Sequence, residues 1–195
     1  MTVHSRVYDT YAQARNVVMN LEKEGVAADD ISVVANKHVS DEHDDVDDAS
    51  TASSGAGLGA AVGGGVGLLA GLGMLAIPGL GPVVAVGWLA STAVGMAAGG
   101  AVGGLIGSLV DSGESEETAH VYSEAVRRGA TLITVRANDQ TTARIESILD
   151  GYEPIDPAER GAAYRRDGWE RFDPNGEAYK PSQAEVERTR RSNAA

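Results

Sequence analysis

The sequence predicts an α+β fold: a ferredoxin-like βαβ…βαβ sandwich interrupted by a long antiparallel glycine-zipper helical hairpin, with a loosely ordered C-terminal tail. Short β-branched runs alternate with amphipathic helical patterns in two separate regions, residues 55–110 carry no charge, and the C-terminal residues are polar. These observations divide the chain into two halves of an α/β domain (1–36 and 111–156), an acidic linker (37–54), the hairpin (55–110) and the polar tail (157–195), which Trp169 and Phe172 are placed to anchor.

The first half of the α/β domain has a β-α-β pattern. Residues 3–8 have strand character, and Thr10 with Gln13 matches a capping box at the start of a helix. Apolar residues recur at helical spacing up to Leu21, and Gly25 is placed to end the helix. The β-branched run ISVVA, residues 31–35, is typical of a buried strand.

The second half continues the pattern after the uncharged region. Residues 119–126 show one apolar helix face, and TLITV at residues 131–135 predicts a second buried strand. A further helix begins after Asp139, and residues 152–155 are predicted to form a final edge strand. Without the uncharged insertion and its trailing helix, this order is that of a ferredoxin-like sandwich.

The insertion contains two stripes of small residues spaced four apart, separated by the turn signal PGLGP. Residues four apart lie on one helix face, so each stripe would let another helix approach at backbone distance. A flexible linker is the alternative, but it gives no reason for a period of four. The predicted helix-packing interface consists of Gly55, Gly59, Gly63, Gly67, Gly71, Gly87, Ser91, Gly95, Gly99, Gly103 and Gly107.

Such helices need a dry surrounding, because each glycine costs about 1 kcal/mol relative to alanine inside a helix. A bilayer or a self-assembled oligomer would supply it. Residues 55–77 would span about 34 Å as a helix, enough to cross a bilayer, and Trp88 is placed to anchor at an interface. The acidic flanks and the absence of nearby lysine and arginine argue against simple insertion. The sequence leaves both possibilities open.

Composition narrows the class of partners. The 28 acidic and 16 basic residues give a formal charge of −12, which disfavours nucleic acid. The chain has no cysteine, and its first residues lack the apolar segment of a signal peptide, so a cytoplasmic α/β domain is expected.

No residue pattern indicates catalysis, and we predict no enzyme activity and no catalytic, cofactor-binding or metal-binding residues. GVGLLA and GLGMLA formally match a dinucleotide fingerprint, but the required strand and acidic residue are missing. His38 and His43 lie in the acidic linker, where weak, non-selective cation binding is the expected behaviour. His4 and His120 each stand alone in the sequence, with His120 predicted on an exposed helix face.

Several segments resemble bacterial general stress proteins of the heat-induced, glycine-zipper type. They are RVYDTYAQARNVVMNLEKEGVAADDISVVAN, GLGMLAIPGLGPVVAVGWLA, HVYSEAVRRGATLITVRAND and, in the tail, DGWERFDP. The resemblance implies a role in the stress response and brings no catalytic motif with it.

Together these features predict a non-enzymatic stress-response protein. Its hairpin would associate with membrane lipid, with further copies of the chain as a homo-oligomer, or with both. The alternative is a soluble oligomeric binding or sensory module whose α/β domain recognises a small ligand or a protein partner.

Overall fold

A computed structural model describes residues 1–36, 73–77, 80–89, 104–174 and 176. The strands are Thr2–Tyr8 (β1), Ile31–Asn36 (β2), Gly73–Ile77 (β3), Gly81–Val86 (β4) and Thr131–Ala137 (β5). The α-helices are Tyr11–Lys23 (α1), Gly104–Asp111 (α2), Glu116–Arg127 (α3), Thr142–Asp150 (α4) and Pro157–Arg166 (α5). A 3₁₀ turn, Ala28–Asp30, leads into β2.

The strands form one sheet in the order β1-β5-β2-β4-β3, with every neighbouring pair antiparallel. α1 and α4 supply the apolar side chains over one face, while α2 and α3 cover the other. Every residue of β2 is buried, as are six of the seven residues of β5. Strands covered on both faces need continuous apolar runs, which explains ISVVA and TLITV.

The predicted start of α1 is confirmed. Thr10 Oγ1 accepts a hydrogen bond from the Gln13 backbone N–H at 3.2 Å, and the Gln13 side chain accepts one from the Thr10 N–H. Gly25 follows the helix in the left-handed region, with φ of 86°. The capping box therefore fixes the beginning of the helix at the position that the sequence predicts.

The predicted helical hairpin is wrong around its turn, because residues 73–77 and 81–86 are strands. PGLGP separates the two segments, but it joins strands of a β-hairpin. β4 pairs with β2, with Asn36 opposite Val83 and Val33 opposite Val86. Three valines in PVVAV favour a strand, and docking beside β2 satisfies backbone groups along that strand.

The sheet also differs from the ferredoxin-like expectation at its other edge. Residues 152–155 do not form the predicted strand, and only the Ile155 N–H donates to the Val7 carbonyl, at 2.7 Å. Pro154 has no N–H to give, and Glu153 adopts φ of 52°, outside the β region. The segment therefore touches β1 without extending the sheet.

The first part of the tail is ordered, contrary to the prediction of a loose segment from residue 157. Asp156 caps α5 by accepting from the N–H groups of Ala158 and Glu159 at 2.8 and 2.9 Å. Phe172 is buried in the core and Trp169 packs against it, so the predicted anchoring by these two residues is confirmed. Residues 157–174 thus belong to the folded domain.

Candidate functional site

The structure describes two of the predicted helix-packing residues, Gly87 and Gly107. The acidic linker, with His38 and His43, lies outside the described residues. So do the other members of the predicted interface, namely Gly55, Gly59, Gly63, Gly67, Gly71, Ser91, Gly95, Gly99 and Gly103.

Gly87 is not a helix-packing glycine. It follows β4 with φ of 93°, and a Cβ atom there would lie 2.4 Å from the Ile31 carbonyl oxygen and 2.8 Å from Ser32 Cα. Beside it, Ser32 Oγ donates to the Val86 carbonyl at 2.9 Å. The role of Gly87 is therefore to let the end of β4 lie against the beginning of β2.

Gly107 does lie in a helix, since α2 covers residues 104–111. Leu105 and Leu109 of this helix enter the core, and Ser108 Oγ donates to the Gly104 carbonyl at 2.7 Å. The end of the second predicted zipper helix is thus helical. In the described structure, its apolar face packs within the α/β domain against α3.

The β-hairpin places two chain segments at one end. Gly73, where β3 begins, pairs with Ala85, near where β4 ends. The beginning of β3 and the end of β4 therefore lie side by side at one end of the hairpin. In the sequence, the first small-residue stripe ends at Gly71, shortly before β3, and the second resumes at Ser91, shortly after β4.

Trp88, predicted as a membrane-interface anchor, packs against the core as a partly buried side chain. The Arg136 guanidinium lies over its ring, 5.1 Å from the centroid. A cation over an indole ring is a stabilising contact. This contact attaches the segment that follows β4 to the end of β5.

A buried carboxylate links α3 to the beginning of the tail. The Glu124 side chain is 1% exposed and accepts from Arg127 Nη2 and Arg128 Nε, both at 2.6 Å. The Arg128 guanidinium lies 4.3 Å from the centroid of the Tyr164 ring, which contacts Trp169 edge to face at 5.6 Å. Burial raises the pKa of Tyr164, although Arg160 and Arg128 oppose that rise.

Both described histidines have acidic neighbours, which the sequence analysis did not predict. His4 is nearly buried, and its Nδ1 lies 3.3 Å from Glu146 Oε1. His120 Nε2 lies 3.7 Å from Glu116 Oε1, and its side chain is 16% exposed, so it is not on an open helix face. Burial lowers the pKa of His120, assisted by Arg171 and opposed by Glu116.

Glu114, just after α2, lies near β1. Burial raises the pKa of this carboxyl group, while Ser5 and the positive potential of Arg6 and His4 act in the opposite direction. Burial also raises the pKa of Tyr122 to about 12, with the Glu114 charge contributing. The arrangement is a partly buried acid near the Ser5 hydroxyl group and the Arg6 guanidinium.

Glu114→Gln is expected to raise stability at neutral pH and to flatten its pH dependence. A raised folded-state pKa means that folding favours the protonated acid, so the wild-type chain gains stability as pH falls through the folded-state pKa. Urea unfolding midpoints of both proteins, measured from about pH 4 to pH 7, check this. Parallel pH profiles would contradict the assignment to Glu114.

A pocket of about 180 Å³ lies between the end of α1, the end of β5 and the beginning of α4. Its polar wall carries two arginines and two acids, Arg136, Arg144, Glu24 and Asp30, and its apolar wall includes Val26, Ile145 and Ile148. Arg144 forms an ion pair with Glu24, and Arg136 Nε lies 3.3 Å from Asp30 Oδ1. The pocket therefore contains balanced charges beside an apolar surface.

In the part of the chain that the structure describes, no group of histidine and acidic side chains has the proximity needed to hold a metal ion. Within the same residues, no helix combines the length and the apolar character needed to cross a bilayer.

Comparison with known families adds a further observation. Residues 5–76 match the family described as the heat induced stress protein YflT domain. Over these residues the chain is similar to that stress-protein domain. The YflT domain match begins within β1 and ends within β3, so the later block HVYSEAVRRGATLITVRAND lies beyond it. No curated protein and no solved structure matches the chain.

The resemblance to bacterial general stress proteins that the sequence indicated is thereby confirmed for the YflT domain. The description of the matched domain refers to heat-induced stress, and the match is limited to residues 5–76. The description of the matched family names no biochemical activity.

Proposed function

We propose that this is a non-enzymatic stress-response protein that self-assembles, associates with membrane lipid, or does both, through its two small-residue stripes. The YflT domain match supports the stress-response role. The observation that carries the mechanism is the pairing of Gly73 with Ala85, which puts the beginning of β3, soon after the first stripe in the sequence, beside the end of β4, soon before the second. The α/β domain is then a cytoplasmic base that presents both segments together.

The geometry changes the composition of the proposed interface. Gly87 belongs to the contact between β4 and β2, so the second stripe begins at Ser91. Residues 55–72 and 90–103 contain no charged side chain, and the stripes within them keep a period of four. Small residues at this spacing suit close helix–helix contact, in a bilayer or between copies of the chain.

Gly63→Leu combined with Gly99→Leu is expected to abolish assembly or membrane retention while leaving the α/β domain folded. Leucine at both positions would separate helices that approach at backbone distance. The measurement combines fractionation of cells, using salt, carbonate and detergent washes, with sizing of the purified protein. Far-UV circular dichroism and the unfolding midpoint of the variant, compared with those of the wild-type chain, show whether the α/β domain remains folded.

The matched control is Gly65→Leu combined with Gly100→Leu, because both glycines lie off the four-residue period. The control should assemble or sediment with membranes as the wild-type chain does. If the stripe variant and the control behave alike, the stripes are not the interface. A wild-type chain that is monomeric and is recovered entirely without detergent would contradict the whole proposal.

A further inference from the structure

The pocket beside α4 is lined by two ion pairs, Arg144 with Glu24 and Arg136 with Asp30. A charged ligand can take the place of one partner in such a pair. The Arg144 side chain is 64% exposed and that of Glu24 is 29% exposed, so their ion pair lies at the pocket mouth. An exposed ion pair of this kind contributes about 0–1 kcal/mol, so separating it costs little. A ligand with one positive and one negative group would pair with both side chains. Two new ion pairs would then form for the one that is separated.

The second pair is held more firmly. The side chains of Arg136 and Asp30 are 34% and 31% exposed, and Arg136 Nη2 also donates to the Asp29 carbonyl at 2.7 Å. The contact between the Arg136 guanidinium and the Trp88 ring restrains this side chain further. This pair therefore forms a fixed polar wall, while Arg144 and Glu24 are the groups able to turn toward a ligand.

Size and apolar lining narrow the class of ligand. An apolar cavity of about 150 Å³ accommodates a molecule the size of benzene. The pocket of about 180 Å³ is comparable, and Val26, Ile145 and Ile148 lie along its apolar wall. These residues suit a short aliphatic side chain, and the volume suits a ligand of about the size of benzene.

We propose that this pocket binds a small zwitterion of the α-amino acid type with an aliphatic side chain. The carboxylate of the ligand pairs with Arg144, its ammonium group pairs with Glu24, and its side chain lies against Ile145 and Ile148. A purely anionic or purely cationic ligand would leave one of the two protein charges without its partner. Small-ligand recognition by the α/β domain goes beyond the assembly function and does not depend on it.

The test is a titration of the full-length Trp169→Phe variant with L-valine, followed by tryptophan fluorescence and calorimetry. Trp88 is then the sole tryptophan and lies against Arg136 of the pocket. We expect saturable binding below about 10 mM, with 3-methylbutanoate and 2-methylpropylamine each at least about tenfold weaker. Each analogue lacks one charged group of valine.

Two variants, each with a matched control, locate the site. Arg144→Ala should weaken binding by about tenfold to a hundredfold, whereas Arg165→Ala, which removes a comparable pair with Glu117, should not change it. Ala27→Phe places a ring at the pocket, whereas Ala28→Phe changes the next exposed residue outside its lining. Only the former should block binding.

Three results would overturn the proposal. Absence of any saturable response to valine removes the site, and equal affinity for 3-methylbutanoate would make it an anion site. Loss of binding in both phenylalanine variants, or in neither, would place the ligand elsewhere. Assembly of the same proteins is measured separately by sizing, so failure of the pocket leaves the assembly proposal untouched.

Discussion

Gly87→Ala is expected to lower the free energy of unfolding by about 2 to 5 kcal/mol. The left-handed backbone conformation costs a residue with a Cβ atom about 1–2 kcal/mol, and a forced contact in a packed region adds about 1–3 kcal/mol. Here the contact is with backbone, since the added atom would meet the Ile31 carbonyl oxygen at 2.4 Å. Urea unfolding of the full-length chain measures the loss.

The same variant should also loosen the attachment of the hairpin. Because the new methyl group pushes the end of β4 away from β2, the Ser32–Val86 hydrogen bond is lost with it. Hydrogen exchange should show reduced protection of the β4 amides, with protection in β1 and β5 retained. This pattern would distinguish a local detachment from general destabilisation of the sheet.

Gly113→Ala is the matched control. Gly113 has φ of 104°, but a Cβ atom there would have no heavy atom within 4 Å. It should therefore incur only the backbone cost, about 1–2 kcal/mol, and leave exchange in β4 unchanged. An equal loss in the two variants would mean that the close approach of β4 to β2 contributes nothing.

The sequence predicted the parts of the fold whose signals are local. The capping box of Thr10 and Gln13 needs only four residues, and ISVVA and TLITV are recognisable because buried strands need continuous apolar runs. The hairpin was missed because a short apolar run such as GMLAI fits a helix as well as a strand. The open edge of β2, which decides between them, is a property of the assembled sheet.

The candidate sites depend even more on tertiary contacts. Gly87 precedes Ser91 by four residues, and this spacing alone assigned it to the second stripe. Its left-handed conformation goes with the close approach of Ile31, which the spacing does not reveal. The pocket collects Glu24, Arg136 and Arg144 from three separate elements, and no spacing along the chain relates them. The ion pairs of Glu124 with Arg127 and Arg128 were predictable from helical spacing, but their burial was not.

Replacing Arg127 and Arg128 with methionine is expected to destabilise the domain by about 3–5 kcal/mol. The Glu124 side chain, 1% exposed, would then remain buried without its two cationic partners. Breaking a buried ion pair from one side costs this much because the remaining charge has lost both water and partner. The contact between Arg128 and the Tyr164 ring is lost as well, which should loosen α5.

Adding Glu124→Leu to the methionine pair tests this explanation directly. An apolar side chain of similar size needs no charged partner, so the triple variant should recover most of the lost stability. Arg165→Met is the surface control: its pair with Glu117 has side chains 46% and 70% exposed, so removing it should cost less than about 1 kcal/mol. Urea unfolding of all three variants provides the measurement. If the triple variant is no more stable than the double variant, the loss comes from packing of the arginine side chains, and the buried charge of Glu124 is not its cause.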